Sequence, residues 1–566
     1  MDLRRAFKQE MRRLSEGGAA FARAFPTEAR MLGLDDPHDR DPYVERLLEG
    51  VAFLTAGVRA ELAAGLDDIH QLLLQLAAPE LAEPWPSATV LAFSPAAGQG
   101  APVALPRGAV AWSSPALAEG VAIPFETLVD GTIEPIEVER AEWLPASGGG
   151  SELRLTLRIA ALEAAAPVLP AALPLFIDAE AGLWERLRAA LLHGTRRVRI
   201  GLGADADAGQ VIGGAELLAP WLPGTLQGTP DQSVLPALQH FRCLFLARPL
   251  LAFVRLHGLD QVRLPAGAEC VEVCCELDWP APAAAAGKRQ LLRANCLPAV
   301  NGGYAEAEPQ WMEGGPGPYR LRSDADGPGR RAVQQVLEVR LREAQSARTR
   351  TGHPFWQPEP EGGSGVRYRV QRREQGGGQD VAVYLDAPAG SGTLGARLRY
   401  SHGELPRRCL GRGDITQPGA GVPEGVAVTN LRRPTGFQPA PLEAGRDRAL
   451  SRLVRGDAER WATPEGLREL ITGLADAPDS PSARACLAAL RDLTCTTTIR
   501  VRQGVVESGL DVALELDPRP WRDRGEAYLF AERVYQVLAA WAPLDRFVTL
   551  GLHLEPDGEV ARWPRP

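Results

Sequence analysis

Apolar residues at helical spacing near the start of the chain constrain its fold most. Val44, Leu47, Leu48, Val51, Leu54, Val58 and Leu62 recur every three or four residues and mark one face of a helix. Asp41 is placed to cap that helix and Pro42 suits its first position, where no hydrogen-bonded donor is lost. Glu45 lies in the first turn, where the helix dipole favours an acid. Upstream, Phe7, Met11 and Leu14 begin a second amphipathic face that Gly17-Gly18 weakens. Downstream, Asp67 leads into Ile69, Leu72, Leu73 and Leu76 before Pro79 stops the pattern. Pro84-Trp85-Pro86 then marks a boundary, because residues before proline avoid the α region. A helical set this short has little of its own to lay over the 44–62 stripe. Either its own core or a partner covers it, and Val44, Leu47, Val51, Leu54 and Val58 are the candidate interface residues.

At 566 residues the chain exceeds what one core supports, since single hydrophobic cores stop growing near roughly 250–300 residues; about three or four domains are expected. The 59 glycines and 48 prolines demand many turns and favour β-rich middle domains. The expected organisation is multi-domain α+β: a helical region over 1–82, a first β-rich domain over 83–235, a second over 236–430, and an α+β domain over 431–566. Leu153 to Ile159 alternates with period two, as a half-buried strand should. Leu183 to Leu192 reads as a helix. Strands are expected at 333–341 and 366–370, and long Gly/Pro loops at 313–318, 324–330 and 357–365 are either mobile or ordered by a partner. Asn430 to Leu442 looks like a linker. Beyond it, helices are expected at 464–474, 483–490 and 527–540, with strands at 496–502, 510–516 and from Phe547.

Composition excludes several kinds of chemistry. A net charge of −9 argues against nucleic acid, which needs a basic surface to displace counterions. All but Lys8 and Lys288 of the 62 basic residues are arginine, a coding bias from which no function follows. Residues 1–16 lack an apolar core for a signal peptide, and the longest apolar runs fall short of the roughly 18–20 residues a membrane helix needs, so a soluble cytoplasmic protein with no membrane insertion is expected. Eight cysteines lie without a CxxC pair. Cys270, Cys274 and Cys275 share one strand-like stretch with no histidine at zinc-finger spacing, so free buried thiols are expected and no metal. Gly201 to Ala206 matches the G-x-G-x-x-A dinucleotide pattern, but the glycine-rich residues after it do not open a helix that could hold a pyrophosphate. There is no phosphate-binding G-x-x-x-x-G-K-[ST] loop, H-E-x-x-H or G-x-S-x-G elbow. Asp511, Glu515 and Asp517 around a strand pattern read as solvated or ion-paired carboxylates, and Arg412-Gly413-Asp414 as an accident of composition. No catalytic, cofactor-binding or metal residue is expected. An enzyme reading, a β-rich carbohydrate-active protein, would use some of the 12 Trp, 8 Tyr and 14 Phe in a stacking cleft.

Short motifs in a fixed order point elsewhere. Gly18-Ala19-Ala20-Phe21-Ala22, Phe25-Pro26, Leu32-Gly33-Leu34 and Asp41 to Thr55 resemble the N-terminus of the TssF (ImpG/VasA) family, wedge subunits of the type VI secretion baseplate. Leu105-Pro106-Arg107-Gly108, Cys296-Leu297-Pro298-Ala299-Val300-Asn301 and Gly403-Glu404-Leu405-Pro406 are similar to family motifs. So are Gly509 to Asp517, Leu529-Phe530 through Val537-Leu538, and Asp545 to Leu550, so the resemblance runs nearly end to end. The chain departs from the family at Gln239 to Phe245 and at Arg446 to Leu453. The resemblance implies a structural, cofactor-free role: two copies of the subunit per TssG, TssK and TssE as neighbours, and wedges arranged around a VgrG spike. It also implies that the N-terminal helices bundle with TssG and that the C-terminal domain joins neighbouring wedges. The wedge protein of a phage-tail-like contractile injection system is the alternative scaffold.

Overall fold

The structure is a computed structural model that describes residues 3–31, 42–96, 98–146, 148–159, 169–202, 210–213, 218–220, 236–262, 268–323, 331–344, 348–357, 365–375, 378–386, 391–442, 457–475, 480–502, 504–543 and 545–564. The loops 324–330 and 358–364, the turn at 203–209, the proposed cap Asp41 and the departure at 446–453 lie outside them. The chain divides into two compact units, Met1–Ala77 with Leu442–Ser451, and Ala78–Pro441 with Arg452–Pro566.

The first unit holds α1 (Leu3–Ala24), the short α2 (Pro26–Met31) and α3 (Pro42–Ala77). At 36 residues α3 is about 54 Å long. α1 packs on α3 through small side chains: Ala6, Ala52 and Ala56 are fully buried.

The second unit is built on sheets. A six-stranded sheet runs Ile415–Pro418, Val110–Ser113, Pro124–Thr127, Cys296–Asn301, Ala88–Ser94, Ala427–Asn430. A five-stranded sheet runs Gln210–Gly213, Thr195–Leu202, Cys270–Leu277, Ser151–Ile159, Ile136–Pro145, and a four-stranded one Leu218–Pro220, Phe253–His257, Ala172–Ile177, Leu292–Arg293. Strands from either side of residue 235 share all three. The alternation at Ser151–Ile159 holds, with Leu153, Leu155, Leu157 and Ile159 buried. Residues 303–401 form an eight-stranded sheet with its own core, in which Val339, Val383, Leu394, Ala396 and Leu398 are fully buried.

Two of the short motifs meet in the six-stranded sheet. Asn301, fully buried at the end of strand Cys296–Asn301, donates from Nδ2 to the Pro124 carbonyl at 2.8 Å and accepts the His402 backbone amide at 2.6 Å. Glu404, two residues on, accepts the Phe437 amide at 2.9 Å. Leu105 to Gly108 makes a turn in which Gly108 adopts a left-handed φ of 81° and donates to the Thr127 carbonyl.

Two expectations need correction. Residues 430–442 are no loose linker: the Ala88 amide donates to Thr435, the Thr89 hydroxyl to the Arg432 carbonyl and the Trp85 amide to the Gln438 carbonyl. The prolines there remove donors, yet the remaining carbonyls find partners on strand Ala88–Ser94 and its approach, so the segment lies along the sheet as a strap. The loop at 313–318 is likewise pinned by its own chain, since Pro316 accepts the Leu385 amide and Gly315 the Tyr319 hydroxyl.

The C-terminal segment forms a four-stranded sheet, Leu490–Arg502, Val505–Leu516, Arg546–Leu554, Gly558–Trp563, whose middle pair is parallel and joined through the helix Gly525–Trp541. Thr463 caps the helix Pro464–Leu474 by accepting the Gly466 amide. The helix Gly525–Trp541 packs on the helix Leu183–His193 through buried charge. Arg188 forks onto Glu532 at 2.6 and 3.2 Å, with both side chains about 3–4% exposed, and Arg533 flanks the same carboxylate at 2.5 Å. Burial alone would raise the Glu532 pKa, but the two guanidiniums outweigh it and hold it at about 2. Gly525 is required at the crossing: a Cβ there would lie 2.6 Å from the Glu185 and Arg186 backbone.

A second carboxylate at this junction is less well compensated. Arg248 is shared between Glu526 at 2.5 Å and the fully buried Glu185 at 3.3 Å, and burial pushes Glu185 up to about 7. A carboxyl whose folded pKa is raised binds its proton more tightly in the native state. Its stabilising contribution is complete below about 4.5 and is lost as the pH rises through about 7. Glu185→Gln keeps an acceptor for the Gly182 amide and has no proton to lose. Chemical unfolding at pH 5 and pH 8 should therefore show a loss of up to about 3 kcal/mol in the wild type that the variant lacks. Equal pH slopes in the two proteins would contradict this.

Candidate partner-binding interface

The helical unit carries the site. In α3, Pro42 opens the helix and Glu45 lies in its first turn, as the sequence indicates. The single stripe read from the sequence divides in two. Ala52 and Ala56 face α1, flanked by the half-buried Val44 and Leu48, and Arg59 at the same seam pairs with Glu10 of α1. Leu47, Val51, Leu54 and Val58 point away and are 46–69% exposed. Of the five candidate residues, Val44 thus sits at the edge of the α1 contact and the other four lie on the open face. Sequence reasoning passed over Tyr43, included Leu62 in the stripe without naming it a candidate, and read Ile69 and Leu76 only as a separate helical pattern downstream. At 100° per residue all four fall on the same open arc, and all are more than half exposed. The stripe from Tyr43 to Leu76 runs about 50 Å. The signal that separates the two faces is the pair Ala52 and Ala56, small residues one turn apart that let α1 approach closely.

Covering a large aliphatic side chain supplies roughly 1.5–3 kcal/mol when burial is complete. Seven such side chains and Tyr43 stand about half exposed or more on one arc of α3, and apolar patches of this kind are candidates for interaction surfaces. A second, smaller apolar surface lies on the C-terminal sheet. The ribbon formed by Leu490–Arg502 and Val505–Leu516 runs past the strand Arg546–Leu554, whose pairing begins at Ser508. On one face of that extension Ile499, Val501 and Val506 are about 70% exposed.

The residues weighed for chemistry do not assemble into a reactive site. Strand alternation puts Cys270 and Cys274 on one face and Cys275 on the other. The Cys274 thiol donates to Glu152, and burial pushes Cys274 and Cys275 up to about 12. Among the described residues no three His, Cys, Asp or Glu side chains are grouped to hold a metal. Asp517 accepts from Arg519 and Arg491, which hold it far below the usual carboxylate range, and Asp511 accepts from Arg562 and Thr549. No described helix is long and apolar enough to cross a membrane.

The sequence as a whole matches the family model described as "Type VI secretion system, TssF", from residue 1 to residue 566. The chain belongs to the TssF family. Over 140 residues it is 36% identical to the type VI secretion system component TssF1 of Pseudomonas aeruginosa, a stretch covering 24% of this chain and 23% of that relative. Its fold is like that of a chain in a cryo-electron microscopy structure of the TssK-TssF-TssG baseplate subcomplex, with a TM-score of 0.75 at 22% identity over 92% of this chain and 98% of that one. A chain of another structure, the baseplate complex from the type VI secretion system, gives a TM-score of 0.59 at 23% identity, covering 98% of each.

An uncovered apolar face should drive association of this TssF-family chain with itself when no partner is present. Light scattering of the purified full-length chain should show concentration-dependent assembly, and Leu54→Ser with Val58→Ser should shift it toward monomer without lowering the unfolding temperature. An unchanged scattering profile would argue that these residues are solvated singly.

Proposed function

We propose that this chain is a non-catalytic wedge subunit of the type VI secretion baseplate, and that the open face of α3 is where TssG binds. The observation that carries this reading is the apolar row from Tyr43 to Leu76, left uncovered by its own unit in a chain of the TssF family. The fold likeness to chains of baseplate complexes, one of them named for TssK, TssF and TssG, supports the same role. In this reading a second copy of the subunit, TssK and TssE complete the wedge around the VgrG spike, and the subunit acts in the cytoplasm without a cofactor. Its work is mechanical: binding free energy spread over large interfaces that can rearrange together when the machine fires.

The α3 contact is tested by co-purification. Leu54→Asp with Val58→Asp would bury two unpaired charges against TssG and should cost several kcal/mol of association, abolishing capture of TssG by the tagged chain. The eight-stranded sheet core, in the other unit, should keep its unfolding transition. Retention of TssG by the double variant would overturn the assignment.

The projecting ribbon is the contact we assign to a neighbouring wedge. Removing the C-terminal segment is a poor test, because Arg188 and Arg248 would lose Glu532 and Glu526. Ile499→Asp with Val501→Asp leaves that junction intact. Wedges containing TssG should still form, and closed rings should disappear from electron micrographs. Rings of normal number would refute the ribbon's role.

A further inference from the structure

Asp178, just after the strand Ala172–Ile177, has its carboxylate about 3% exposed and three guanidiniums around it. Arg293 Nε and Arg412 Nη2 donate to the same oxygen, Oδ2, at 2.7 and 2.8 Å, and Arg432 Nη2 lies 3.1 Å from Oδ1. One cation would neutralise Asp178, so the cluster holds two in excess. The neighbouring acid, Glu180, is engaged by Lys288 at 3.3 Å.

The three arginines differ in how many donors they have committed. Arg432 also donates to the Ala179 carbonyl at 2.7 Å and lies over the Phe176 ring, and Arg293 donates to Gln290 at 2.9 Å. Arg412 is about half exposed, and among the described residues Asp178 is its one hydrogen-bonded partner. Its guanidinium lies beside a second one, Arg293, held on the same oxygen. Four separate segments, ending at 178, 293, 412 and 432, converge to build this arrangement, and the strap at 430–442 fixes one side of it.

We propose that Arg293, Arg412 and Arg432 form a docking point for an Asp or Glu side chain on an acidic segment of a partner protein. A guanidinium can meet a carboxylate with two parallel charge-assisted N–H···O bonds, and a second cation beside it adds to the attraction. A phosphate polymer needs an extended basic track instead, whereas these three arginines form one compact patch on a single carboxylate. The cluster belongs to the large unit and α3 to the helical one, and the assay below reads the cluster without TssG.

The test uses the full-length chain and fluorescein-labelled hexaglutamate, followed by anisotropy at low salt, with a decathymidine strand as the competing probe. The peptide should bind, weaken with added salt, and lose at least about fivefold in affinity in Arg412→Gln, a half-exposed position where folding is safe. Asp178→Asn removes the internal counter-charge and should tighten binding where it folds. Arg289→Gln, an exposed arginine on Glu142 outside the cluster, should change nothing. No hexaglutamate binding, an equal loss in the Arg289 and Arg412 variants, or tighter binding of the DNA strand would each overturn the proposal.

Discussion

The buried charge junction between the helices Leu183–His193 and Gly525–Trp541 is the constraint on which the large unit depends. Arg188 and Glu532 lie 344 residues apart in sequence and meet where water is excluded. Neither ion tolerates that site alone, since an isolated buried charge is far costlier than a paired one. The pair therefore adds little net stability over an apolar contact of the same shape, but it makes any other docking of the C-terminal helix unfavourable. Gly525 acts in the same sense through shape: a backbone approach this close admits no side chain, so the crossing point is fixed to one residue. Around it, His193 packs against Tyr528 and Trp563, with ring centroids 5.1 Å apart in each case, which brings the last strand into the same junction.

Once the C-terminal segment is anchored there, the six-stranded sheet closes the rest. Its strands come from residues 88 to 430, and its centre, Cys296–Asn301, is buried at every position. The short motifs that resemble the TssF family have a physical reading in this sheet. Asn301 ties the strand end to the turn at His402, Glu404 secures the returning strap, and Gly108 supplies a backbone conformation that other residues rarely adopt. These three motifs are closure points of the sheet.

The two units differ in how far they satisfy themselves. In the large unit the apolar alternation of the strands is matched by cores on the expected faces, and Asp511 and Asp517 are taken up by arginines. In the helical unit two helices share one alanine seam and leave a continuous apolar row in water. The division leaves one unit with its apolar surface largely covered and the other with a face whose burial would be favourable. Folding and assembly then draw on the same hydrophobic free energy at different stages.

The sequence by itself determined what depends on neighbours a few residues apart. The period of the apolar residues, with Pro42 and Glu45 at its start, placed α3. The alternation from Leu153 to Ile159 placed a strand, and the pattern from Pro464 to Leu474 placed a helix, because helix and strand periods are local consequences of backbone geometry. The ordered motifs pointed to the family, since each is a short local stretch that can be read without the fold. Only the tertiary structure decided which side of α3 is spent on α1, because both sides are apolar and just the alanines at 52 and 56 let a helix come close. It also decided that 430–442 is a strap, that Arg188 finds Glu532, and that three arginines from distant segments gather on Asp178. Those outcomes rest on which long-range partners remain once every other segment is placed, and no local period encodes that choice.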